Sequence, residues 1–166
     1  DNISKPDGRM GCVYKEVAIT DNGVLVPKIK LSEDAIKIVN PGYKKLYRLY
    51  DKKTGYALCD VMCLEGEELN PNNMTIVSLT DFMKSTTISD YDIVELQQPI
   101  FIGGKLVYNE PSLYEKRDYC EKMMRTIYPE VKRNLNPHEY YVDGTVEYAK
   151  FKGDMIQKHR SLVRKL

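Results

Sequence analysis

The sequence predicts an α+β domain, in which three β-hairpins form a mostly antiparallel sheet and helices follow at the C-terminal end. Two observations carry that reading. Three stretches rich in β-formers are each broken by turn residues, at Asn22-Gly23, at DKKTG (51–55) and at Gly103-Gly104. From Pro111 onward the apolar period lengthens from two residues to that of a helix. Strands grouped first and helices last give α+β rather than an alternating α/β fold.

Taken in order, residues 12–31 predict the first hairpin. Val13, Val17 and Ile19 alternate, Asn22-Gly23 favours positive φ, and Leu25, Ile29 and Leu31 return, while Pro27 cannot donate to a ladder. Ser32 is expected to cap a short helical turn that Asn40-Pro41-Gly42 stops. The second hairpin is KKLYRLY, turn, YALCDVMCLE. Its return strand is apolar on both faces, with Ala57, Cys59, Val61 and Cys63 on one and Tyr56, Leu58, Met62 and Leu64 on the other. Such a strand belongs inside a sheet covered from both sides. The helices from Pro111 onward are expected to cover only one side, leaving the Tyr56 face partly open. Residues 66–73 read as a loop, and 74–96 hold one strand, MTIVSL, with a weaker segment at DIVEL. The third hairpin is PIFI, Gly103-Gly104, KLVY. Pro111 is a favourable first helical residue, and Leu113, Cys120, Met124 and Ile127 recur at helical spacing as the side expected to pack. Pro129 ends or kinks that helix, Asn136-Pro137 marks another stop, and a last helix runs from Thr145 with Val146, Ala149, Gly153, Ile156 and Val163 on one side.

Composition narrows the function classes. Hydrophobic residues make up 42% and charged residues 30% of the 166, as in a globular domain, and the net charge of +1 favours neither nucleic acid nor a membrane surface. No apolar run approaches the ~20 residues that span a bilayer. Four scattered cysteines predict a reducing, cytoplasmic setting rather than a disulfide framework. The opening DNISKPDGRMG is polar and turn-forming and lacks an initiator Met, which predicts a chain entered partway through a longer polypeptide, its first ten residues loosely held here.

Candidate chemistry is sparse. Cys59 and Cys63 share a strand face about 13 Å apart, too far for one tetrahedral ion, so they read as buried small hydrophobes and no metal site is predicted. His138 and His159, the only histidines, lack partners at triad or metal spacing. Gly103-Gly104 is a turn, too short for a phosphate loop. The last helix carries Lys150, Lys152, Lys158, Arg160, Arg164 and Lys165 against Glu147 and Asp154. It reads as a solvated face near a helix C-terminus, the alternative being a free-standing interaction module that binds nucleic acid or a protein partner. The residues alone predict a domain without a self-contained catalytic centre.

Longer stretches add a resemblance. GCVYKEVAI, VPKIKLSED, NPGYKKLYRLYDKKTG, PIFIGGKLVYNEPSLYEKRDYC and VKRNLNPHEYYVD resemble, in order and spacing, the C-terminal third of bacterial nicotinate phosphoribosyltransferases; residues 66–96 match least. The resemblance implies an enzyme that makes nicotinate mononucleotide from nicotinate and phosphoribosyl pyrophosphate, with ATP hydrolysis and Mg²⁺. The catalytic histidine and most substrate contacts would lie upstream. Residues 1–10 would then be a linker from the catalytic barrel and 11–166 a single C-terminal domain. It also implies that this domain packs on the upstream catalytic domain of the same polypeptide in a homodimer. Asp1, Asn2 and Ser4 would adjoin the phosphate of the phosphoribosyl group, where backbone N–H groups and short polar side chains suit an anion. The chain by itself is expected to be inactive and to bind no cofactor.

Overall fold

The computed structural model describes residues 13–163. Backbone contacts divide the chain into two compact units, Asp1–Tyr43 and Lys44–Leu166. In the first, β1 (Ala18–Asp21) pairs antiparallel with β2 (Val24–Pro27). Asn22 and Gly23 take φ of 47° and 80°, the pair of left-handed residues that a two-residue hairpin needs. Pro27 ends the return strand, as a residue without an N–H should. The short helical turn is a 3-10 turn over Ala35–Lys37, and its cap is Asp34 rather than the expected Ser32. The Asp34 carboxylate accepts from the Ile36 N–H at 3.3 Å.

The second unit is built on the hairpin of β3 (Lys44–Asp51) and β4 (Ala57–Leu64). Its turn is held by the Asp51 carboxylate, which accepts from the N–H groups of Lys53 and Thr54 at 2.9 and 2.6 Å. β5 (Asn73–Val77), β6 (Ser85–Ser89), β7 (Tyr91–Glu95) and β10 (Val142–Thr145) complete a six-stranded sheet in the order β6-β5-β10-β4-β3-β7. Only the β10–β4 pair is parallel. A separate small hairpin, β8 (Phe101–Ile102) and β9 (Lys105–Leu106), turns at Gly103 and Gly104. Two helices follow, α1 (Leu113–Thr126) and, directly after β10, α2 (Val146–Val163).

The strand order has a geometric consequence. β6 and β7 stand at opposite edges, yet only Asp90 joins them, in a left-handed conformation (φ 57°). The sheet must therefore roll until its edges meet at that corner. Its concave face becomes an interior in which Leu49, Cys59, Val61, Met74, Ile76 and Tyr91 pack, with Ile88 and Ile93 against them. On the convex side α2 covers part of the sheet, where Tyr148, Ala149 and Phe151 gather with Leu79, Met62, Leu64 and Val77. Thus the strand that is apolar on both faces has one face buried and the other partly covered by this chain. The Tyr56 face, expected to be partly open, is partly covered: Leu58, Met62 and Leu64 are half-buried, and Tyr56 stacks on Tyr128 with centroids 4.6 Å apart. Rolling supplies one cover and α2 part of the other, where Met123 of α1 and Tyr128 after it also reach β3 and the residue before β4.

Two strands escape the sequence reading. β6 (STTIS) is polar, and β10 (VDGT) is short with a glycine, so neither shows an apolar alternation. Both are set by tertiary pairing. Thr75 and Thr87 pair hydroxyls across β5 and β6 at 2.8 Å. Gly144 lets β10 lie beneath α2, since a Cβ there would stand 2.7 Å from Leu79 Cδ2 and 3.0 Å from Tyr148 Cδ1. Ser112, not Pro111, starts the first helix. Its hydroxyl accepts from the Glu115 N–H while the Glu115 carboxylate accepts from the Ser112 N–H, a capping box.

Candidate functional site

Asp1, Asn2 and Ser4, the residues the resemblance places beside a phosphate, lie outside the described residues, as does the expectation for the first ten positions. The polar constellations among the described residues serve to hold the fold together.

The foremost of these lies on the convex face. The β3–β4 register places Arg48 opposite Asp60. The guanidinium forks onto the carboxylate, with Nε to Oδ1 at 2.7 Å and the terminal nitrogen to Oδ2 at 2.9 Å. The Tyr140 hydroxyl donates to the same Oδ1 at 2.9 Å, and its ring lies 5.6 Å from the guanidinium carbon. The Asp60 N–H closes the arrangement on the Tyr141 carbonyl at 3.0 Å. The carboxylate raises the Arg48 pKa further, and burial, with the bond to Asp60, pushes the Tyr140 hydroxyl up. A carboxylate occupied by three donors is no general base, and no nucleophile adjoins it. Its effect is mechanical: it fastens residues 140–141, and so β10, to the sheet after the long excursion from β7. The signal was present in the sequence as an Asp inside an apolar strand, directly across the turn from an Arg.

Lys152 corrects the reading of a solvated basic face. It is 2% exposed on α2 and donates to the Leu79 carbonyl at 2.8 Å, and burial lowers its pKa. It fastens the β5–β6 connection to α2 and is unavailable to a phosphate backbone. Cys59 and Cys63 are buried as expected, which pushes their thiols up to about 12 and about 11, whereas Cys120 on α1 is exposed. His138 is exposed and its backbone N–H donates to the Glu130 carbonyl at 3.0 Å; His159 is half-buried on α2. Among the described residues no group of three or more His, Cys, Asp or Glu is gathered to hold a metal ion. Among the described residues no helix is long and apolar enough to cross a membrane.

What the structure does display is surface. Phe101, Ile102 and Leu106 of the small hairpin are exposed, as are Leu113, Tyr114, Tyr119 and Met124 of α1, and α1 has no buried residue. The described residues thus form a covered α+β body that carries an uncovered apolar arm.

Residues 43–152 match the family described as nicotinate phosphoribosyltransferase C-terminal domain, and the chain belongs to that family. It is 36% identical to a nicotinate phosphoribosyltransferase of Caenorhabditis elegans, an alignment covering 80% of this chain and 23% of that protein. It is 30% identical to one of Bacillus subtilis (strain 168), over 81% of this chain and 28% of the relative. The fold resembles the solved structure of human nicotinic acid phosphoribosyltransferase with a TM-score of 0.62 at 23% identity, over 69% of this chain and 23% of that one. The chain spans about a quarter of the length of these relatives.

Proposed function

We propose that the chain serves as the C-terminal structural and interface-forming domain of a nicotinate phosphoribosyltransferase that joins nicotinate to phosphoribosyl pyrophosphate, giving nicotinate mononucleotide and pyrophosphate with ATP hydrolysis. The observation that carries this reading is a coincidence of boundaries: the family match begins at residue 43 and the compact unit at Lys44. The parent enzyme is read as a cytoplasmic homodimer that uses ATP and Mg²⁺, and no role in holding either is given to the described residues. Asp1, Asn2 and Ser4 are proposed to adjoin the substrate phosphate in that parent. The chain alone is proposed to be inert, which is supported by polar groups that are engaged in holding the fold.

The test is direct. Full-length polypeptide and the 166-residue chain are each incubated with nicotinate, phosphoribosyl pyrophosphate, ATP and Mg²⁺, and nicotinate mononucleotide is measured. The expected result is product from the full-length protein only. Turnover by the 166-residue chain, or none by the full-length protein, contradicts the proposal.

A further inference from the structure

The sequence places Leu113, Cys120 and Met124 on one line of a helix, at intervals of seven and four residues, and such a line ordinarily faces a core. Here it does not. α1 rests on the sheet by a different side: Met123, whose sulfur accepts from the Tyr50 hydroxyl at 3.8 Å, is half-buried, and so are Thr126 and Ile127. Leu113 is left 79% exposed and Met124 49% exposed. The stripe is about 16 Å long at 1.5 Å per residue. Phe101, Ile102 and Leu106 of the neighbouring hairpin in sequence are 60–65% exposed. A separate open groove of about 550 Å³, lined by Leu96, Gln98, Ile100, Tyr108, Glu115, Lys116 and Tyr119 among others, lies along another side of α1 and is not part of this surface.

Both elements are weak by themselves. A hairpin of two residues per strand is marginal in water, and a 14-residue helix is marginal without tertiary packing on its apolar side. The charges beside the stripe are engaged within the arm: Arg117 and Arg125 both approach Glu121, at 3.2 and 4.0 Å, and Lys116 reaches Glu110 at 2.6 Å. The matching surface is therefore apolar and needs no countercharge, which disfavours nucleic acid. About three quarters of the relatives' length lies outside the region this chain matches, so on the reading above there is further polypeptide to lie over the stripe.

We infer that the stripe Leu113–Cys120–Met124, with the β8–β9 hairpin, is the surface by which this domain docks on an apolar face of the catalytic part of its own polypeptide. This rests on the reading of the chain as part of a longer transferase. The test compares amide hydrogen exchange over residues 113–126 in the full-length polypeptide and in the 166-residue chain, and repeats it for the double variant Leu113→Asp/Met124→Asp. Exchange at least tenfold slower in full-length protein is expected, and the double variant should lose that slowing and melt in two separated transitions. The same variant of the 166-residue chain should melt as its wild type does, which shows that the substitutions leave the domain folded. Equal exchange in both proteins overturns the inference. So does slowing that appears in the 166-residue chain as its concentration rises, since the occupant is then a second copy. Product formation by the wild-type full-length protein is scored separately. Activity without protection of α1 rejects the docking surface alone, and protection without activity rejects the assigned reaction alone.

Discussion

The rolled sheet with α2 and the arm of β8, β9 and α1 draw on similar residues: aliphatic side chains, methionines and tyrosines at regular spacing. They differ in what closes them. The sheet encloses its concave face by bringing its own edges together at Asp90, and α2 seals part of the other, so Tyr148 is 0% exposed. The arm has an apolar line of equal regularity and no residue of the described chain laid over it. An apolar pattern thus states that a cover exists without stating which chain segment provides it.

The largest expected effect tests the closed region. Tyr148→Ala removes a fully buried ring packed on Leu79 and Phe151 and should cost about 3–5 kcal/mol, read by urea unfolding. Asp60→Ala should cost about 3 kcal/mol, because it leaves the Arg48 guanidinium and the Tyr140 hydroxyl without their shared acceptor. Replacing Arg48 and Asp60 together by Met and Leu should recover most of that loss; if it does not, the pair contributes more than mutual compensation. Gly144→Ala should cost about 1–3 kcal/mol, since its Cβ would press on Leu79 and Tyr148.

Alkaline pH gives a graded version of the same contrast. Cys59 and Cys63 have folded pKa values raised from 9.0 to about 12 and about 11 by burial. A raised folded value means that the group's stabilising contribution is complete below pH 9 and is lost as pH climbs through the folded value. Tyr148 and Tyr140, raised from 10.0, act in the same sense from pH 10. Lys152 and Lys44, both lowered from 10.5 by burial, act oppositely, their penalty being relieved as pH rises through their folded values. They are two amines against two thiols and four phenols, Tyr47 and Tyr91 also being raised by burial. The melting temperature should fall above pH 9, and Cys59→Ala/Cys63→Ala should move the onset toward pH 10, from a lower starting stability. Labelling of Cys120 at neutral pH should be fast while Cys59 and Cys63 resist. The smallest effect belongs to the arm: Met124→Asp should change the stability of the 166-residue chain by no more than ~0.5 kcal/mol.

How much of this was legible before the structure follows the same division. The β3–β4 hairpin was readable because DKKTG separates two long β-rich runs and Asp51 holds the turn. The hairpins at Asn22-Gly23 and Gly103-Gly104 were readable because their turns demand left-handed residues. β6 and β10 were not, because nothing in STTIS or VDGT alternates and their places depend on partners distant in sequence. The rolling of the sheet was hidden in the one-residue link at Asp90, which becomes informative only once strand order is known. Lys152 was misread for the reverse reason: it stands three residues after Ala149 and four before Ile156, on the packing side of the helix, but its charge grouped it with Lys150 and Lys158, which are exposed.

The claim that a self-closed body carries an arm closed from outside is tested most directly by native-state hydrogen exchange of the 166-residue chain across low denaturant. The amides of β4 and α2 should exchange only through global unfolding, sharing its free energy and denaturant dependence. Those of α1 and of the β8–β9 hairpin should exchange through local openings that denaturant barely changes. Amides of α1 that share the free energy and denaturant slope of β4 would contradict it, because the helix would then be part of the closed body.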